Sequence, residues 1–504
     1  MTPARSDSTS TTGGDLTIPP SVRAFVRARL GIDPRALGAF RIGLGLVVVA
    51  DLLVLRAPGL RTFYTDRGIR PRGRFSDARA VVTPRRFRIP LGASSPARGH
   101  RAVRDVRLVG YRSRIAALGS ALLLASLHAR NPYLVNGGDT ILVSLLVLAA
   151  FLPLDSMWSL RRRPDPRRGE TRIDEEHRIT TTATAIVLLH VVSIYAINAI
   201  LKFRSDAWMS GVAVRRIFRL EDFVYLFGPM LAEQTAALTA INWLWTVTLS
   251  ASVLLILTTG WLRAAIGVAF VVSHLGMAAT MRLGAFPYVM VAAVLLFVPP
   301  RMWDRLAEFA SRTDPAGRLE SIAWERRSGH TAASMPSGVA VWPRLRRGGR
   351  LAGVVFLVGF ALSIGCWQVV AAGLVDAPAA TTDGELDGAS WAFFAPNPPD
   401  SYSWYVIEAD RGTGDPIDLV DGGTVDFDRP ADAMDRYPTT LWKRYGTKTR
   451  GAGEAHREPA VAYFCDRAPA DVESVTIYRF DQPVDADGPV GEPIRRERIT
   501  AACG

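Results

Sequence analysis

A lysine closes an apolar run in the segment Tyr195-Ala-Ile-Asn198-Ala-Ile-Leu-Lys202-Phe-Arg-Ser-Asp206-Ala-Trp208. Tyr195, Asn198 and Lys202 are spaced i, i+3 and i+7, which places them on one face of a helix; Asp206 continues that face if the helix persists. An ionisable side chain in or beside a membrane helix is by default a functional-site hypothesis. Burial disfavours an ammonium relative to the free amine, so a lysine held there could serve as a base near neutral pH, an effect Asp206 would oppose at close range. The competing reading is an interfacial anchor, with Lys202 snorkelling to the headgroups and Trp208 in the aromatic belt.

His274, in Val271-Val-Ser-His274-Leu-Gly-Met277, has apolar neighbours on both sides. It is either a buried, satisfied histidine or a neutral imidazole able to hold or relay a proton. His190 lies on a different helical face from Lys202 and reads as a helix–helix hydrogen-bonding group. His128, followed by Ala129 and Arg130, reads as interfacial. Asn136-Gly137-Gly138-Asp139-Thr140 has a structural explanation, the glycines supplying a turn and Asp139 capping the next helix. Arg41 and Asp51, ten residues apart in the first apolar helix, do not share a face, so each must find a partner on another helix.

The elements that must position these groups are apolar stretches of near membrane-crossing length at about 36–55, 113–130, 138–154, 181–201, 235–258, 262–280, 285–300 and 351–375. Those at 138–154 and 285–300 are at the short limit for a hydrocarbon core of ~30 Å and could be re-entrant. The expected fold class is an all-α polytopic membrane helix bundle with a small C-terminal β-rich extramembrane domain. Its expected divisions are a disordered or amphipathic segment 1–34, the bundle 35–300, a basic loop 301–350, a last transmembrane helix 351–375 and an acidic domain 376–504. No cleavable secretory signal opens the sequence, so the first helix must do the targeting.

Charge is distributed unevenly along the 504 residues, whose net charge is +13. From Asp376 onward there are 24 Asp and Glu against 13 Lys and Arg; the first 375 residues carry the basic excess. This is the positive-inside pattern of a cell-membrane protein whose C-terminal domain is external. On that basis 301–350 and 161–180 are cytoplasmic, while 131–137 and 202–234 are external. The stretch 56–112, with 15 Arg and three Asp, breaks the alternation. Either the N-terminus is external or one crossing is hidden in this stretch. A nucleic-acid partner is not expected, because the arginines occupy short loops between apolar helices and no nucleic-acid motif accompanies them.

Past Val375 the segments Trp391-Ala-Phe393-Phe394-Ala395-Pro396-Asn397-Pro398, Ser403-Trp404-Tyr405-Val-Ile and Ser474-Val-Thr-Ile-Tyr478-Arg-Phe480 combine aromatic and β-branched residues with Gly/Pro punctuation. They predict short strands, and Trp391–Pro398 is expected where this domain meets the membrane surface. Trp442 and Tyr445 read as core or as an exposed binding patch. Cys366, in the last apolar helix, reads as a small buried hydrophobe. Cys465 and Cys503 are either a disulfide tying down the C-terminus or two free thiols.

Three segments together resemble the HTTM family, the prokaryotic membrane relatives of vitamin K-dependent gamma-carboxylase. They are Phe63-Tyr64-Thr65-Asp66-Arg67-Gly68-Ile69-Arg70-Pro71, Ser126-Leu127-His128-Ala-Arg-Asn131-Pro132-Tyr133-Leu134-Val135-Asn136-Gly137-Gly138-Asp139-Thr140 and the Lys202 run. The resemblance extends over about residues 35–300. Lys202 and its preceding Tyr195 are similar to the catalytic lysine segment of the animal carboxylase. His274, followed by Gly284, Phe286 and Tyr288-Val289-Met290, is similar to that enzyme's transmembrane histidine segment.

The resemblance implies that Lys202 deprotonates a reduced naphthoquinone (a vitamin K hydroquinone), that O2 adds, and that the resulting alkoxide removes a proton from a substrate. In the animal enzyme the substrate is a Glu side chain, which then captures CO2. It casts Lys202 and His274 as catalytic and Tyr195, Asn198, Asp206, Trp208 and Tyr288 as substrate-binding, without a metal. A water-poor pocket suits this chemistry. The implied partners are the bilayer and an external protein or peptide substrate. The alternatives from other classes are a transport or lipid-handling protein using the same polar stripe, and a membrane-anchored scaffold presenting its tail.

Overall fold

The computed structural model describes residues 19–65, 68–69, 113–159, 178–313, 342–376, 390–450 and 457–503. Most of the Arg-rich stretch before Ser113, the run 161–177 and most of the loop 301–350 lie outside them. The helices are α1 (Pro20–Leu30), α2 (Pro34–Ala50), α3 (Ser113–Arg130), α4 (Gly137–Ala149), α5 (Thr182–Phe203), α6 (Thr235–Ser250), α7 (Gly260–Thr280), α8 (Phe286–Val294), α9 (Pro300–Thr313) and α10 (Trp342–Ala371). Local chemistry sets their starts: Asp33 accepts from Arg35 N ahead of Pro34, and Thr181 with Thr184 forms a capping box on α5.

All eight apolar stretches are helical, and among the described residues five helices are long and apolar enough to cross a membrane: 34–56, 182–203, 235–257, 260–280 and 351–371. α4, 13 residues long, rises only ~20 Å. The span through α8 turns by 108° into α9. These two are the stretches whose length already set them apart in the sequence.

Hydrogen bonds distinguish the two ends of the bundle. At one end Arg35 meets Asp304 at 2.7 Å, Arg41 donates to the carbonyls of Leu154 and Trp158, and Arg178 donates to Ala28 O at 2.6 Å. At the other, the segments around 57–69, 131–139, 205–234 and 281–286 meet the tail domain through Thr62–Tyr463, Arg444–Asp139, Lys443–Asp222 and Arg282–Asp432. α2 therefore starts opposite the tail. Ile69 packs at the tail end, whereas Ser113 bonds to Asp155 at the other. The arginine-rich stretch on which the two readings of the N-terminal topology turn lies outside the described residues.

The tail is a four-stranded antiparallel sheet of order β2-β1-β3-β4, with β1 Ser401–Arg411, β2 Ile417–Asp418, β3 Val472–Pro483 and β4 Ile494–Ala502. Strand alternation divides its two faces. Tyr402, Trp404, Val406 and Phe480 pack with Leu220 of the bundle. Ile407, Ala409, Val475, Ile477 and Ile499 face α11 (Thr440–Lys448) and α12 (Glu458–Cys465). A Cys465–Cys503 disulfide ties α12 to the end of β4. Cys366, expected to be buried, is exposed, because α10 buries only a narrow stripe against the bundle.

Candidate functional site: a lysine and an imidazole under a strap from the tail

α5 ends at Phe203 because Ser205 caps the next short helix, Asp206–Met209. The break swings Asp206 off the polar face and leaves it exposed. Tyr195, Asn198 and Lys202 keep their common face and are buried. Lys202 does not snorkel: it is 2% exposed, Nζ donates to Phe393 O at 2.8 Å and lies 4.2 Å from the Trp208 ring centroid. No carboxylate among the described residues forms an ion pair with it.

What covers this face is the tail's own chain. Asn198 Nδ2 donates to Trp391 O at 2.6 Å, Trp208 Nε1 to Phe394 O at 2.9 Å, and Ser205 Oγ to Asn397 Oδ1 at 2.7 Å. Trp391 N in turn donates to Gln368 of α10 at 2.9 Å. The segment expected at the membrane surface is instead a strap inserted among α4, α5, α8 and α10. The strap and α8 together explain the glycine pair of Asn136-Gly-Gly-Asp139. A Cβ on Gly137 would sit 2.3 Å from Ser390 O, and one on Gly138 would sit 2.8 Å from Phe286 Cβ, so close approach rather than a turn demands glycine there.

His274 joins the same chamber from α7. Its Nδ1 bonds to Phe270 O at 2.7 Å; since a carbonyl only accepts, Nδ1 carries the hydrogen and Nε2 is the free acceptor. Nε2 and the Tyr195 hydroxyl are both buried without a hydrogen-bond partner among the described residues. The imidazole touches Tyr195 (ring centroids 5.8 Å), Trp245 (5.5 Å) and Phe286 (5.6 Å). Phe286 stacks at 3.9 Å on Phe393, the residue whose carbonyl receives Lys202. Lysine and histidine are thus joined through two phenylalanines and Tyr195. Tyr288 is outside this group: at 49% exposure it faces away from the chamber. His190 bonds across helices to Ser144 at 2.8 Å and packs edge-on to Trp391.

A second buried polar cluster lies nearby. Arg56 donates to Asp51 at 2.6 Å, Asp139 at 2.8 Å and Tyr64 at 2.7 Å, and His128 Nε2 is 3.3 Å from it. Asp139 also receives Arg444 of the tail at 2.9 Å while capping α4 through Asn136 N. Asp51 was expected to pair with another helix. A π-helical turn over Asp51–Arg56 brings i and i+5 together, so its partner is on its own helix. His128 is drawn into the same network rather than to the interface. Arg444, like the strap, was not singled out in the sequence; nothing local marks a residue whose partner is about three hundred positions away.

The fold and chamber define an integral membrane helix bundle with a polar site enclosed near one end. Residues 135–303, about a third of the chain, match the family model of the HTTM domain, and the chain carries that domain. The match begins beyond the Tyr64 segment and includes Lys202 and His274. Comparison with curated proteins and with solved structures gives no match.

Proposed function

We propose that this protein is a quinol-oxidising membrane enzyme of epoxidase or carboxylase type, with Lys202 as its base. The observation that carries the reading is an amine enclosed without a carboxylate, in an aromatic chamber that also holds an unpartnered imidazole nitrogen and phenol. The side-chain chemistry suits a reduced naphthoquinone admitted by displacement of the strap: Phe270, Phe286 and Trp245, which here pack against Tyr195, Phe393 and one another, would supply flat apolar faces, and the Tyr195 hydroxyl and His274 Nε2, without a partner among the described residues, would supply hydrogen-bonding groups for its oxygens. When bound, that group supplies, with O2, the oxidising chemistry, and CO2 is the co-substrate of a carboxylation.

The protein's own part follows from the contacts. As a free amine, Lys202 Nζ takes a proton from an acidic hydroxyl. The ammonium formed keeps its bond to Phe393 O and lies over the Trp208 face, both of which favour the cation. His274 Nε2 accepts a proton or hydrogen bond and Tyr195 donates one. The aromatic walls keep bulk water from a strong base. Trp208 and Asn198 act through the strap, whose carbonyls they hold. Charge distribution supports a cell-membrane location with the tail external, so a protein or peptide substrate would arrive from the tail side. A permeation role for the polar stripe is disfavoured because the strap engages Asn198 and Lys202.

The test is oxygen-dependent epoxidation of a reduced naphthoquinone by membranes containing the parent or Lys202→Ala. Turnover in the parent that is lost in the variant supports the reading. A folded parent with no turnover refutes it.

A further inference from the structure

α10 is exposed along most of its length, yet Gln368 near its end is fully buried, on the same narrow stripe as Leu357 about three turns earlier. A buried amide is costly unless both its donor and its acceptor are used, and an apolar chain of similar size would avoid that cost. Here only the acceptor is used. Oε1 accepts from Trp391 N at 2.9 Å, and Nε2 has no partner among the described residues. What accounts for the glutamine is therefore its grip on the start of the strap. Both main-chain groups of Trp391 are held from helices, N by Gln368 of α10 and O by Asn198 of α5 at 2.6 Å. Trp391 O also accepts from Phe393 N at 2.9 Å, a tight turn that fixes Phe393 relative to Trp391. Since Phe393 O is the acceptor of Lys202 Nζ, a chain of hydrogen bonds runs from α10 through the strap to the amine.

The closed strap is held at a cost. Trp391 Nε1 and Gln368 Nε2 on one side, and the Tyr195 hydroxyl and His274 Nε2 on the other, are buried without a hydrogen-bond partner among the described residues. Phe394 has φ +51°, a left-handed conformation that is rare for a bulky side chain. Unsatisfied polar atoms and a strained residue gathered in one segment mark a part of the fold that opens before the rest, because opening lets water or a ligand reach those atoms and relaxes the backbone.

We propose that Gln368 is a positioning residue, the latch that holds the strap closed over Lys202, and that releasing it opens the chamber without unfolding the bundle. Its consequence for catalysis rests on the reading of Lys202 as the base, whereas closure is measured without any substrate. The lysines of the whole chain are Lys202, Lys443 and Lys448, so amine labelling reports on the chamber directly. The purified full-length protein, in nanodiscs, is pulsed with formaldehyde and cyanoborohydride, and methylation of each lysine is followed by peptide mass spectrometry. In the parent, Lys202 and Lys443, both buried, should react far more slowly than the half-buried Lys448. Gln368→Met, which removes one hydrogen bond to the strap, should speed Lys202 about tenfold while Lys443 and the melting temperature stay at the parent values. Gln368→Glu keeps an acceptor and should restore protection. Should Gln368→Met not fold, Asn198→Leu, which frees Trp391 O, carries the same expectation. The proposal is overturned if Lys202 of the folded parent reacts as fast as Lys448, if the folded variant leaves its rate unchanged, or if Lys443 accelerates with it. Selective opening in a protein that never oxidises naphthoquinol would refute the base and leave the latch standing.

Discussion

Two buried polar clusters lie near the tail end of the bundle, and they treat charge in opposite ways. Around Asp139 every cation has an anion: Arg56 contacts Asp51 and Asp139, and Arg444 contacts Asp139. Around Lys202 the only hydrogen-bond partner among the described residues is a neutral carbonyl, with an indole face beside it. Removing charges from water is costly, and close pairing offsets that cost only when geometry and hydrogen bonding are complete. The first arrangement suits a joint that fixes the tail to α4 and to the turn after α2. The second suits a group whose protonation changes.

The largest expected effect tests the joint. Asp139→Ala strands the Arg444 guanidinium and leaves Arg56 with Asp51 alone, and breaking a buried pair in this way costs about 3–5 kcal/mol. The purified protein should melt far lower or fail to appear as a single species in size-exclusion chromatography. Melting like the parent would show that the network is incidental.

Lys202→Met tests the other side of the comparison. Exchanging an ammonium that lacks a carboxylate for an apolar chain of similar length should leave thermal stability within about 1 kcal/mol of the parent, or raise it. Naphthoquinol oxidation should fall at least about 100-fold, the usual range for loss of a positioned base. A variant that loses both activity and fold would make Lys202 a structural residue like Arg56.

The same contrast explains what could be read from the sequence. The shared face of Tyr195, Asn198 and Lys202 was legible because it follows from 3.6-residue periodicity, and β1 and β3 were legible because apolar and aromatic residues alternate there. The strap was misplaced because its aromatic run also suits a membrane surface; only the backbone carbonyls, which have no sequence signature, reveal what it binds. Asp206 was placed on the Lys202 face on the condition that the helix persist, and the condition fails because Ser205 caps a new helix. Asp51 was misassigned because a π-turn changes the register that a regular helix would impose.

A smaller effect is expected where the tail meets the turn at 220–224. Asp222 and Lys443 are buried together there, Nζ donating to Asp222 O at 2.6 Å and lying 3.1 Å from Oδ2, with Arg282 and Arg444 also nearby. Burial raises the Asp222 carboxyl above its ordinary 3.8, with Lys443 opposing the shift. The folded state then holds this proton more tightly than the unfolded state. Its stabilising contribution is complete below pH 3.8 and is lost as pH rises through the elevated value. The melting temperature should decline as pH rises above 3.8, and Asp222→Asn combined with Lys443→Met should flatten that decline. A double variant with the parent's slope would place the titration elsewhere.

The smallest effects belong to the two residues left outside the chamber. Tyr288 and Asp206 follow from the same resemblance as Lys202, so family likeness alone would assign all three to the site. The geometry separates them: Tyr288 faces outward from the start of α8, and Asp206 turns outward where α5 ends. Exposed substitutions of this kind usually change stability by no more than about 0.5 kcal/mol. Tyr288→Phe and Asp206→Asn should therefore retain both melting temperature and quinol turnover close to the parent, while Tyr195→Phe, which removes the buried hydroxyl, should lower turnover without unfolding the bundle. If Asp206→Asn instead reproduces the loss seen with Lys202→Met, the carboxylate must reach the amine in the working state, and the contrast between a compensated joint and an uncompensated base fails.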